Sequence, residues 1–288
     1  MKNISLKFLL VVFKTYISNL PKSIKVLLLI NIVIYFISII IDWVFSYNLK
    51  YTFGAHSTCS EKFKVYQIFT NNFFHDINHP DHIIGNLILF LLFAPAVSRI
   101  IGDNNTIKLY VFSGLISFLP FNYIMNIGNN ETVDKLTKTG FDVKKIKESE
   151  RGAIFNNTNE KQNKLIRMYR KTSCLSYGAS GSISGFIIIF PLLFIKRKKS
   201  ILLNLLVLLI VIDLIDTVIT NYNSTLGTFA GHNGSGTFAG HLGGVIGGIV
   251  FFIVWLLYLK NKTVGYLFTE NKKVIQNEAA PILQINAS

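Results

Sequence analysis

The chain has 288 residues, half of them hydrophobic and only 15% charged, with a mean hydropathy of +0.43, which is more apolar surface than one water-soluble core absorbs. Its 29 Lys and Arg against 15 Asp and Glu leave a formal charge of +14, but these bases stand between apolar blocks and in the tails, where charge sets membrane orientation and not nucleic-acid binding. Two cysteines, Cys59 and Cys174, are too few for a disulfide framework and lack the spacing of a metal site.

In chain order, residues 1–23 read as a cytoplasmic or interfacial segment whose short apolar run is broken by Lys14. Runs of Ile, Leu, Val and Phe then predict six spans at 26–47, 82–101, 106–127, 180–195, 201–220 and 238–259, each near the length a helix needs to cross about 30 Å of hydrocarbon. The expected architecture is an all-α, six-span integral membrane domain over 24–260, followed by a cytoplasmic tail at 261–288. Lys196, Arg197, Lys198 and Lys199 fill the short turn between spans four and five, which places that turn, and by parity both termini, in the cytoplasm.

The segment 128–179 is therefore a long extracytoplasmic loop between spans three and four. Its Asn, Lys and Glu bias predicts a mobile insertion. Beyond span five the string GTFAGH occurs twice, at 227–232 and 236–241, so His232 reads as a loop copy and His241 as the histidine entering the membrane. Tandem Phe73 and Phe74 are expected to anchor the first outer loop at the interface.

Spans two, four and six run in the same direction in this topology, so their first residues share one depth. Those residues are polar: His82 and Asn86 stand four apart on one helical face, Ser180 opens span four, and His241 opens span six. Polar groups at such depth are costly unless they pair or face a wet cavity. Gly181 and Gly185 on one span, and Gly240, Gly244 and Gly248 on the other, recur at the spacing that lets backbones approach closely. Gly178, Gly185, Gly244 and Gly248 are accordingly expected to pack helices and bring Ser180 near His241, as a nucleophile and its general base require.

GASGSISG at 178–185, HIIGN at 82–86 and AGHLGGVIGG at 239–248 resemble rhomboid intramembrane serine proteases over roughly residues 65–259. The resemblance implies a Ser180–His241 dyad, with His82, Asn86 and Gly181 stabilising the oxyanion. It also implies peptide-bond hydrolysis in or beside transmembrane segments, with no metal and no cofactor. The implied partners are transmembrane protein substrates and the lipid bilayer, and not nucleic acid. Tyr66-Gln67 stands where that family has Trp-Arg, Ser98 where it often has Glu, and Ser184 where an aromatic is usual. Its upstream histidine has two candidates here, His75 and His79.

A reading from a different class is a catalytically silent adaptor that binds transmembrane clients through the same groove. Asp213 and Asp216 raise the rival of an aspartyl protease or proton-coupled transporter, but both sit on one helix, whereas such chemistry recruits carboxylates from facing helices. The topology sets Cys59 and Cys174 in outer segments, where they are either bridged or free.

Overall fold

The computed structural model describes residues 11, 14–148, 155, 158–172, 175–194 and 233–259. Residues 201–220 with Asp213 and Asp216, the basic turn Lys196 to Lys199, His232, Cys174 and the tail 261–288 lie outside them. The described residues are mostly helical, with no strand and one isolated bridge, Ala55 to Ser176. Among the described residues four helices are long and apolar enough to cross a membrane: α1 (Lys22–Phe45), α4 (Pro80–Ile101), α5 (Asp103–Lys138) and α9, which runs Asn233–Val254 and closes in a π turn, Trp255–Leu259. The short helices α2 (Lys50–Phe53) and α3 (Gln67–Thr70) lie in the first loop. The apolar α8, Ser180–Phe194, has 15 described residues, a rise of about 22 Å.

Large apolar side chains are left outward on the long helices, among them Leu29, Phe36, Ile40 and Trp43 on α1, Leu92 on α4 and Leu257 after α9. Surface of that kind is what hydrocarbon covers, and hydrocarbon in turn enforces helix by leaving no other partner for backbone groups. The protein is an integral multi-pass membrane protein.

Inside the bundle, Phe90 meets Phe186 and Phe93 meets Phe190 edge to face at 5.5 and 5.3 Å, joining α4 to α8. Pro80 and Asp81 open α4 and Arg99 stands in its last turn, a distribution that suits the helix dipole. Gly102, at φ 84°, is the whole connection to α5. At this end of the bundle the Asp103 carboxylate accepts from both the Ser23 N–H (3.0 Å) and the Ser23 hydroxyl (2.6 Å), and Ser23 Oγ lies 3.1 Å from Ser98 Oγ. Ser98 thus belongs to a clasp of three helix ends in which Asp103 supplies the carboxylate.

The segment 128–179 differs from the mobile loop expected. Helix α5 does not stop near 127 but continues to Lys138, where a Schellman motif ends it: Phe141 N–H bonds to Leu136 O (3.3 Å), Gly140 N–H to Thr137 O (2.9 Å), and Gly140 takes φ 76°. Helices α6 (Lys144–Glu148) and α7 (Glu160–Thr172) follow. Leu136, Ile146, Leu165, Ile166 and Tyr169 form a small core of their own beneath a charged exterior. The polar composition concealed the amphipathic period of α7, whose Leu165, Ile166 and Tyr169 cover one face, with Ile146 of α6 and Leu136 of α5 packed against it.

Phe73 and Phe74 also depart from expectation, since they anchor the first loop into protein. Phe74 stacks on Phe53 at 4.7 Å and Phe73 packs 5.6 Å from Tyr110. Tyr110 extends this contact by donating to the Asn72 carbonyl at 3.0 Å. Enough aromatic surface faces the loop from neighbouring elements to compete with the interface.

Candidate active site at the loop end of the bundle

Helices α5, α8 and α9 meet through side chains too small to keep backbones apart. A Cβ on Gly248 would lie 2.7 Å from Gly185 Cα, and one on Gly243 would lie 2.7 Å from Ser117 Cα. A Cβ on Gly244 would overlap the Gly181 carbonyl oxygen, and one on Gly185 would overlap Ser113 Oγ. Ser113, Gly114 and Ser117 on α5 complete the seam and were missed in the sequence, although their spacing is the same small-residue signal.

Above this seam lies a cavity of about 600 Å³ whose lining includes Ser180, Gly181, Gly240, His241, His82 and Tyr177. Ser180 is the first residue of α8, where unpaired N–H groups and the helix dipole favour negative charge. No direct hydrogen bond joins Ser180 to His241 among the described residues. Asn86 stands behind the lining, buried, with its Nδ2 unpaired among the described residues and 3.4 Å from where a Gly178 Cβ would sit. A buried amide donor without an acceptor is costly.

Gly178 has a different task from the helix packing expected of it. It precedes α8 at φ 108°, and a Cβ there would lie 2.7 Å from His82 Cε1. Glycine is required both by backbone conformation and by the imidazole against it. Ser184 donates its hydroxyl to Ser180 O at 2.8 Å and stands 3.0 Å from a Cβ placed on Gly244, so small residues close this seam where an aromatic was expected. Gln67 organises the first loop: its Nε2 donates to Thr52 O and Lys62 O at 3.0 and 3.2 Å, and its Oε1 accepts from Lys64 N at 3.0 Å. Cys59 Sγ lies 3.0 Å from Ser57 Oγ.

Between the two upstream histidines the structure distinguishes clearly. His79 precedes α4 and is exposed, whereas His75 is 1% exposed and its Nε2 accepts the Ala179 N–H at 3.3 Å, directly before Ser180. Its ring lies 5.4 Å from that of His82. Burial first, and then the neighbouring His82, lower the His75 pKa from 6.5 to about 4, against a backbone contact at Phe73 that raises it.

An unfolded chain protonates this histidine below about 6.5, while the folded site stays neutral to about 4. Its stabilisation is therefore complete above the upper value and is lost as pH falls toward the lower one. The difference corresponds to roughly 3 kcal/mol. The melting temperature in detergent is expected to fall across that window, and His75→Gln, which keeps an acceptor for Ala179, to flatten the fall. An unchanged slope in the variant would refute the assignment.

Among the described residues no group of three or more His, Cys, Asp or Glu is placed to hold a metal ion. Fold and site together define a helical membrane protein with a polar cavity sunk among its spans, floored by glycine and bearing serine and histidine. A family model, the Rhomboid domain, matches residues 62–141 and 147–258; the chain belongs to the rhomboid family, whose members are in general intramembrane serine proteases acting on transmembrane substrates. No match was found among the curated proteins or among the solved structures.

Proposed function

We propose that this chain is a six-span intramembrane serine endopeptidase, with 24–260 as its membrane domain and 128–179 as an extracytoplasmic insertion. The observation that carries the reading is the convergence of Ser180 and His241 on one cavity across the Gly181–Gly244 seam. Ser180 Oγ attacks the substrate carbonyl carbon and its proton passes to His241. The oxyanion of the tetrahedral intermediate accepts from Asn86 Nδ2, His82 and the N–H groups at the start of α8, including that of Gly181. Collapse breaks the C–N bond, His241 returns the proton to the leaving amine, and water then hydrolyses the acyl-serine by the same route.

Asn86 supports this role because its amide hydrogens are kept without an acceptor until charge develops. Preorganised donors in a site of low dielectric need no reorientation during the reaction. A helical substrate must unwind first, since its carbonyls are bonded internally, so small or helix-weakening residues near the scissile bond are expected. The substrates are transmembrane proteins entering laterally from the bilayer.

The test is labelling of detergent-solubilised protein by a fluorophosphonate. Wild type is expected to label, and Ser180→Ala and His241→Ala to lose labelling while keeping wild-type melting curves. A folded wild type that neither labels nor cleaves a transmembrane reporter would transfer the reading to a silent adaptor.

A further inference from the structure

Outside the proposed dyad and oxyanion groups, the cavity wall carries a buried ion pair. Lys50 Nζ lies 2.6 Å from Asp76 Oδ2, with both side chains 9% exposed. The same carboxylate oxygen accepts the Tyr177 hydroxyl at 3.2 Å. The Lys50 ammonium sits 5.4 Å from the centre of the Tyr177 ring, and that ring and the His82 ring pack in a T-shaped arrangement with centres 5.8 Å apart. All four residues line the cavity.

Tyr177 stands three residues before Ser180, in a segment secured at almost every position by the first loop. Ser176 exchanges two backbone hydrogen bonds with Ala55 at 2.8 and 2.9 Å, Gly178 N–H bonds to Asn71 O at 2.9 Å, and Ala179 N–H bonds to His75. The side chain of Tyr177 is the member of this segment that reaches His82, and Asp76 holds its far end. We propose that the Lys50–Asp76 ion pair is a positioning device for the oxyanion side of the cavity, acting through Tyr177 on the ring of His82.

The chemistry favours this over simple bracing. An ion pair taken out of water contributes little net stability, since desolvation offsets attraction, so its presence in a cavity wall calls for another use. A carboxylate with two donors in fixed directions orients a phenol as a lone hydroxyl acceptor does not. Burial alone would raise the Asp76 carboxyl, yet the hydrogen bond and charge of Lys50, the Asn78 N–H and the Tyr177 hydroxyl outweigh it and hold the group below the usual carboxylate range. These contacts favour the carboxylate form of Asp76, the form that accepts from both donors.

This inference rests on the protease reading, and its test separates the two. Full-length protein in detergent is assayed for melting temperature, for the saturation kinetics of fluorophosphonate labelling, and for turnover of a quenched fluorescent transmembrane peptide. Asp76→Asn strands Lys50 without a partner and loses stability, so two further variants carry the argument. Tyr177→Phe removes only the hydroxyl, and the paired swap Lys50→Met with Asp76→Leu removes both charges. Each is expected to melt near wild type while kcat and the maximal labelling rate fall about 10- to 100-fold, the range for outer groups that orient a reactive centre, with KM within about twofold.

Wild-type turnover in Tyr177→Phe and in the paired swap would overturn the positioning role and leave the protease reading standing. A folded wild type without labelling or turnover would overturn both.

Discussion

Gly244→Ala is expected to destabilise the bundle and to silence it. The added methyl would overlap the Gly181 carbonyl oxygen and come within 2.9 Å of its carbonyl carbon and 3.0 Å of Ser184 Cβ. Backbone atoms do not rotate away, so α8 and α9 must separate. Overpacking of this kind costs about 1–3 kcal/mol, and a displacement near 1 Å between reacting groups costs on the order of 100-fold in rate. Melting curves and fluorophosphonate labelling rates in detergent report both effects.

Gly85→Ala is the control, because a Cβ there meets nothing within 4 Å. Helix propensity gives that variant up to about 1 kcal/mol of added stability, with labelling unchanged. If Gly244→Ala labelled at the wild-type rate, the seam would not be what aligns Ser180 with His241.

The second large effect belongs to Asn86→Ala. Loss of one oxyanion donor lowers kcat by about 100- to 1000-fold, with KM little changed because the donor acts on charge that only the transition state carries. Stability is expected to move the other way. Nδ2 is buried without a partner among the described residues, so its removal relieves an unsatisfied group and the melting temperature holds or rises. A variant that lost stability and activity together would mark Asn86 as a structural residue.

The candidate site was legible to the extent that its chemistry follows local spacing. His82 and Asn86 share a face because they stand four apart on one helix, and Ser180 and His241 stood beside glycines whose period marks close packing. Ser98, Ser184 and Gln67 read as departures in the sequence. In the structure each has a local reason: Asp103 takes the carboxylate place beside Ser98, Ser184 fills a seam without room, and Gln67 bonds four backbone groups of its own loop. The insertion was misjudged for the opposite cause, since its polar composition outweighed an amphipathic period buried within it.

The sequence by itself determined that this is a multi-pass helical membrane protein, since hydrocarbon imposes a rule of length and composition that each segment meets alone. It also determined which small residues recur at packing distance along a helix, because that periodicity is local. Only the tertiary structure decided that His75 is buried and bonded to Ala179 while His79 stays exposed on the cavity wall, that Gly178 makes room for His82, and that Lys50 and Asp76 pair beside Tyr177. Those outcomes depend on loops closing over the bundle and joining residues 26 to 104 positions apart, and no local period encodes where such a loop comes to rest.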